Sequence, residues 1–313
     1  MNNKVVVLGG GTGQSTLLKG LKMFPMDITA VVAVSDDGSS SGKLRQEFNT
    51  PAVGDLRRVL VALSETENIV GELFNYRFHT TSDLDGHTVG NILLTALTEI
   101  SGNLSSGIKQ FSKILNMKGN VLPLTDDNVI LMAKMTDGSV IEGEHFITES
   151  KKKIKKVFYK KNPKINKDVI KSLKESNLIV LSMGSIYTSI IPNLISKDII
   201  KAIDSSNAKI VYICNLVTQP GESDNFKVSD HINLLNKYLG KKKIDLVIAN
   251  SEKIYPDIKK KYSTLEKKNQ VEIDKENISI KLISKPFLTM ENGYLRHDCL
   301  KISLELLNYL LKK

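Results

Sequence analysis

Two stretches of this chain carry residue types at spacings suited to handling a phosphate. The first is Gly9-Gly10-Gly11-Thr12-Gly13-Gln14-Ser15-Thr16, with glycine at four of five successive positions. Glycine at that density lets a backbone approach a group that no side chain would admit. Placed before a helix, such a turn aims unpaired amides and a positive dipole end at an anion, most often a phosphate. A tight turn without a ligand is the plain alternative. A dinucleotide fingerprint would carry glycine or alanine where Gln14 stands, and no Gly-x-x-x-x-Gly-Lys-Ser/Thr run occurs, which removes a Walker-type P-loop. The second stretch is Ser35-Asp36-Asp37-Gly38-Ser39-Ser40-Ser41-Gly42. An acid after the second strand of a doubly wound sheet grips ribose hydroxyls. The adjacent pair Asp36 and Asp37 equally suits Mg²⁺ held against a diphosphate. An Asx turn feeding a serine-capped helix needs neither.

Other candidates are single residues. The net charge of +10 comes almost wholly from lysine, so Arg45, Arg57, Arg58, Arg77 and Arg296 stand out as bidentate contacts for phosphate or carboxylate. Arg57 falls in the first turn of a helix opened by Gly54-Asp55, where the dipole disfavours a cation, and is expected to face an anion. Asp55 reads as that helix's N-cap. His87, in Gly86-His87-Thr88-Val89-Gly90-Asn91, either touches a ligand or moves a proton, or is a satisfied structural histidine.

Several function classes are excluded. The runs Lys151-Lys152-Lys153-Ile154-Lys155-Lys156 and Lys160-Lys161 lack interleaved aromatics and RNA-binding motifs, so a solvated face is expected and nucleic acid is not. No run of about 18 apolar residues and no signal peptide is present, so no membrane partner is expected. Cys214 and Cys299 have no metal-ligand spacing and read as reduced thiols of a cytoplasmic protein.

Strands must position these residues. Val5–Leu8, Ile28–Val34, Leu178–Leu181, Lys209–Ile213 and Ile244–Ala249 are short apolar, β-branched runs that read as buried parallel strands. Helical patterns follow them, notably Ile92–Ile100, Lys167–Glu175 and a closing helix Cys299–Leu311, introduced by Tyr294-Leu295-Arg296-His297-Asp298. Polar loops at 9–15, 35–45, 182–189, 214–224 and 250–252, all but the last bearing glycine, follow carboxyl ends of these strands, the edge where open parallel sheets bind ligands. Between 110 and 167 the pattern changes to a hairpin, Val129–Met135 and Val140–Glu144 about an Asp137-Gly138 turn, and a strand Lys155–Tyr159. The expected fold is α/β: a Rossmann-like, doubly wound, mostly parallel sheet with a small β-rich insertion. Its parts are 1–109, the insertion 110–167, and 168–313, and such an insertion suits a homodimer.

Several runs match a known pattern: Gly9-Gly10-Gly11-Thr12-Gly13, Asp36-Asp37-Gly38 with Ser40-Ser41-Gly42, Gly54-Asp55-Leu56-Arg57, and Gly86-His87 with Gly90-Asn91. Further on come Gly184-Ser185 with Tyr187-Thr188-Ser189, Cys214-Asn215 with Thr218-Gln219-Pro220-Gly221-Glu222, and Leu295-Arg296-His297. On these, over nearly its whole length, the chain resembles the YvcK-like gluconeogenesis factors, relatives of the 2-phospholactate transferases called CofD. Ser39 and Ser182-Met183 depart from the family pattern. The resemblance implies a cytoplasmic regulatory protein that binds a UDP-sugar and is needed for gluconeogenic growth, cell shape and wall synthesis. NAD and GDP are the alternative nucleotides. The implied nucleotide site comprises Gly9, Gly10, Gly11, Thr12, Gly13, Ser35, Asp36, Asp37, Ser40, Ser41, Arg57, His87, Asn91, Gly184, Ser185, Tyr187, Thr188, Asn215, Thr218, Gln219 and Arg296. The CofD branch implies a different activity, phospholactyl transfer from a guanosine diphosphate donor, with Asp36 and Asp37 holding Mg²⁺. The acidic Pro-Asp-Leu-Asp-type segment expected of that branch is replaced by Gly54-Asp55-Leu56-Arg57-Arg58-Val59, which favours the regulatory branch.

Overall fold

The strands expected from β-branched runs form, and they form one sheet. A computed structural model describes residues 3–66 and 68–312. Its strands are β1 (Lys4–Gly9), β2 (Asp27–Val32), β3 (Asn120–Pro123), β4 (Leu131–Met135), β5 (Val140–Glu142), β6 (Ile154–Tyr159), β7 (Leu178–Leu181), β8 (Lys209–Ile213), β9 (Leu246–Asn250), β10 (Lys281–Lys285), β11 (Leu288–Glu291) and β12 (Tyr294–His297). Seven of them order as β10-β9-β8-β7-β1-β2-β3. Every neighbouring pair in that sheet is parallel. Helices cover both faces, so the central strands are apolar throughout; Val5, Val6, Val7 and Leu8 of β1 are at most 2% exposed.

The order of strands sets the position of the site. From β1 the chain winds outward through β2 to β3, then returns to place β7, β8, β9 and β10 on the other side. The winding reverses between β1 and β7, and the loops leaving their carboxyl ends diverge into a crevice there. Gln14 explains itself at this point. It is fully buried, and its Nε2 donates to Val7 O (2.9 Å) and Val31 O (3.0 Å), tying β1 to β2 from inside the first helix.

Two readings of the sequence need correction. The span 110–167 is not one insertion: β3 within it pairs with β2 as the edge of the large sheet, because Val121 continues the apolar core. The helix Leu104–Ile114 runs across the 109/110 boundary. The antiparallel sheet β5-β4-β6 is confined to residues 131–159, with the helix Glu144–Glu149 between β5 and β6. Tyr294–His297 is no lead-in to the last helix. It is strand β12, paired with β11 across a tight Asn292-Gly293 turn in which both residues have positive φ. No helix among the described residues is long and apolar enough to cross a membrane.

Candidate functional site

The crevice begins where two loops are pressed together. A Cβ on Gly13 would lie 2.1 Å from Met183 O, so the first turn of the helix Gly11–Leu21 can meet the loop after β7 only through glycine. Gly11 has φ +62, the left-handed geometry that starts this helix directly from the strand. Opposite, the Gly184 peptide is held from both sides by one side chain: its N–H donates to Asn215 Oδ1 (2.9 Å) and its carbonyl accepts from Asn215 Nδ2 (2.8 Å). The turn that follows is capped by buried Glu222, whose carboxylate accepts from Ser185 Oγ (2.6 Å), Tyr187 N–H (3.2 Å) and Gln219 Nε2 (2.9 Å). Thr12, Ser185 and Gln219 form a seam with a chamber on either side.

The chamber beyond β8 is shaped by rings. It measures about 360 Å³ and is walled by Leu216, Tyr262, Tyr294, Leu295, Arg296 and His297, among others. The Leu295 N–H donates to the Tyr262 hydroxyl (2.9 Å), and the Arg296 guanidinium lies 5.6 Å from the centroid of the Tyr294 ring. His297 Nε2 meets Cys214 O at 2.9 Å; a carbonyl only accepts, so this nitrogen carries the proton and Nδ1 is an acceptor. Burial pushes the His297 pKa down to about 4, and the ring is neutral at physiological pH.

The chamber on the β2 side is shaped by charge. It measures about 380 Å³ and holds Arg57, Arg58 and Arg77 together with Asp36, Asp55 and Glu144. Arg57 is 4% exposed, and its contacts are neutral: Nε donates to Asn91 Oδ1 (3.0 Å), and Nη1 donates to the Asn75 side chain and Phe74 O. Burial, then the Arg58 and Arg77 charges, lower its pKa to about 10. Asp55 carries the reverse strain: burial pushes its carboxyl up to about 6, against the opposing pull of Arg58 at 3.4 Å. Glu144 is raised well above the usual carboxylate range by burial and by Asp36 and Asp55.

The structure brings most of the expected residues to the crevice. Gly11, Thr12, Gly13, Asp36, Ser40, Ser41, Arg57, Asn91, Gly184, Ser185, Thr188, Asn215, Thr218, Gln219 and Arg296 line one chamber or both. Six others stand behind the walls. Gly9 is packed against Ser182 and Gly10 against Asp55, so those two glycines serve protein packing. Ser35 is buried beneath Glu144. His87 bonds Ser40 Oγ at 3.1 Å and thereby positions it. Tyr187 belongs to the core, where burial pushes its phenol up to about 12.

Asp37 turns away from Asp36: its Oδ1 accepts the His145 N–H (2.7 Å) at the start of the helix Glu144–Glu149, while Asp36 Oδ1 takes the Gly38 N–H (3.0 Å). The two carboxylates are thus directed to different amides in this structure. Among the described residues, no group of three or more His, Cys, Asp or Glu is placed to hold a metal ion.

Two single-residue expectations also change. Asp55 is not an N-cap: Val53 occupies that position, and the Asp55 carboxylate instead packs against the Gly10-Gly11 turn. Arg45 is a brace. It joins Ser35 O, Asn128 Oδ1 and Val129 O, fixing the loop after β2 to the start of the insertion. Sequence reasoning missed Glu144, Tyr262 and Tyr294 as wall residues. Glu222 had a signal, as the last residue of the Thr-Gln-Pro-Gly-Glu run.

An all-parallel sheet with a crevice at its switch point defines a Rossmann-like α/β protein. Comparison with known proteins narrows this. The CofD family, described as 2-phospho-L-lactate transferase CofD, matches residues 5–288, and this chain belongs to that family. Its relatives include the gluconeogenesis factor of Halalkalibacterium halodurans, 43% identical over 303 residues covering 96% of this chain and 94% of that one. The gluconeogenesis factor of Bacillus subtilis is 43% identical over 305 residues, 96% of each chain. An X-ray crystal structure of a Bacillus halodurans protein superposes with a TM-score of 0.95 at 42% identity, covering 98% of this chain and 100% of that one. Within the CofD family the chain thus groups with the gluconeogenesis factors.

Proposed function

We propose that this protein is a cytoplasmic regulatory protein that binds a UDP-sugar and acts in gluconeogenic growth, cell shape and wall synthesis. The observation that carries the ligand reading is the seam. Two chambers of nucleoside and sugar size meet at Thr12, Ser185 and Gln219, beside the first turn of the helix Gly11–Leu21, which holds no acidic residue. The Thr12 and Gly13 amides have no intrahelical acceptor and lie at the positive end of the helix dipole, so a diphosphate is stabilised there. The base then enters the chamber of Tyr262 and Tyr294, where Arg296 is placed to reach the phosphate or the base. The sugar enters the chamber of arginines. The biological role is inferred from the gluconeogenesis factors that the chain matches end to end. Self-association as a homodimer belongs to the same reading; Ile69, Leu73 and Ile100 supply exposed apolar surface, and sedimentation velocity tests it.

A second reading is phospholactyl transfer of the CofD type from a guanosine diphosphate donor with Mg²⁺. It is favoured by the family description and by the acidic groups Asp36 and Asp55 in one chamber. Calorimetric titration with UDP-N-acetylglucosamine, UDP-glucose, NAD, GDP and GTP, with Mg²⁺ or with EDTA, separates the two. Selective, metal-tolerant binding of a UDP-sugar without product by mass spectrometry supports the regulatory reading. Metal-dependent preference for a guanine nucleotide, or turnover, overturns it.

A further inference from the structure

Three of the chain's five arginines line one chamber of about 380 Å³. In a protein whose cations are otherwise almost all lysines, that concentration needs a cause. Among the described residues only Arg58 of the three has an acidic partner, Asp55, and at the long distance of 3.4 Å. Arg57 is 4% exposed and bonded solely to amide and carbonyl oxygens, and Arg77 donates to Gly86 O. Neither makes an ion pair among the described residues. A buried guanidinium with only neutral partners leaves much of its desolvation uncompensated, and two like charges nearby add to that deficit. The planar donor forks of arginine match carboxylate and phosphate oxygens.

The arginines belong to different elements from the seam. Arg57 and Arg58 project from the helix Gly54–Leu63 and Arg77 from the segment after the helix Asn68–Asn75, whereas the diphosphate position is set by the loops after β1 and β7. None of the three arginines reaches the chamber of Tyr262 and Tyr294.

We propose that the arginine chamber is an oxyanion site, distinct from the diphosphate position, that takes a carboxylate or phosphate carried by the sugar or by a separate small acid. This rests on the ligand orientation proposed above, with the sugar on the β2 side. The class of ligand narrows accordingly, from any UDP-sugar to an acidic one or to a UDP-sugar accompanied by a small acid.

The test uses matched ligands and two variants. UDP-glucuronate has a carboxylate where UDP-glucose has a hydroxymethyl group, and UDP-N-acetylmuramate adds a carboxylate-bearing lactyl ether to UDP-N-acetylglucosamine. Calorimetry on the wild-type protein, Arg58→Gln and Arg77→Gln gives the affinities. Arg57 is left intact because its loss would orphan Asn91 and Phe74 O. In parallel, the melting temperature of nucleotide-free protein is followed against inorganic phosphate at constant ionic strength. If the sugar carries the anion, the acidic member of a pair binds about tenfold tighter. Both variants erase that gain, so that the acidic and the neutral member of a pair bind each variant alike. If a separate acid fills the site, the pairs bind alike, but phosphate raises the melting temperature of the wild type and not of the variants.

The inference is overturned if acidic sugars gain nothing and the phosphate effect is the same in all three proteins. Should no UDP-sugar bind, the nucleotide reading falls, and the phosphate series alone decides the oxyanion site.

Discussion

The two chambers on either side of the seam are built in opposite ways. On the β8 side the walls are rings, a neutral histidine, Arg296 and a closely paired Lys268 and Glu266 (2.7 Å), and Asn215 takes both the N–H and the carbonyl of Gly184. On the β2 side the walls are ionic, and their charges are poorly matched: carboxyls held above their usual pKa and a guanidinium held below its own. The first chamber is preorganised by shape. The second stores an electrostatic deficit that a ligand can relieve. On the proposed reading, specificity for a flat base belongs to the former, and coupling between occupancy and stability belongs to the latter.

The largest expected effect falls on the seam that both chambers share. Gly13→Ala would drive a Cβ into Met183 O, and overpacking against backbone costs about 3 kcal/mol; denaturant unfolding should show this, together with loss of ligand binding. Next is the ring-built side. Arg296→Ala should weaken binding of a diphosphate ligand by roughly 1.5–3 kcal/mol, as for loss of a charge-assisted contact, and an unchanged dissociation constant would remove Arg296 from the site.

The ionic side is probed by pH. The Asp55 carboxyl is raised from 3.8 to about 6, so the folded protein binds that proton more tightly than the unfolded chain. The resulting penalty is absent below the unfolded value, grows as pH rises between the two, and is complete above the folded value. Asp55→Asn should therefore raise stability by about 1 kcal/mol at neutral pH, allowing for the loss of the Arg58 pair, and the gain should vanish as the pH falls toward 4. A gain independent of pH would mean that the chamber is not strained. The smallest effect is Tyr294→Leu, which removes a half-exposed ring from beside Arg296 and should cost about 0.5–1 kcal/mol of ligand affinity.

The sheet was legible because its strands are short, β-branched and buried on both faces, so periodicity and burial point the same way; Leu178–Leu181 and Lys209–Ile213 match to the residue. Strand β10 was not, because Lys281, Ser284 and Lys285 break its apolar run. The hairpin β11–β12 had a signal in Asn292-Gly293, flanked by Leu288–Glu291 and Tyr294–His297, that the nearby helix pattern obscured. At the site, loops at the carboxyl edge could be placed from the strand pattern alone. Which of their side chains face the crevice could not. Asp36 and Asp37 are neighbours in sequence and point apart, and Glu144 reaches the chamber from the insertion. Convergence of Arg77 with Arg57 and Arg58 is likewise a product of tertiary packing, with no trace in local spacing.

The pairing of β1 with β7 has a consequence for how the protein comes into being. Lys4 and Asn177, joined at the start of that pair, are separated by 173 residues. Contacts this remote must close a long loop before they stabilise anything, so they form late and slowly. During synthesis β1, β2 and β3 emerge with one flank of β1 uncovered, a bare hydrogen-bonding edge of the kind that chaperones guard. Both chambers of the crevice draw residues from each side of that join. Ligand capture is therefore restricted to chains that have completed it, and a small molecule present at the ribosome would favour finished protein over fragments.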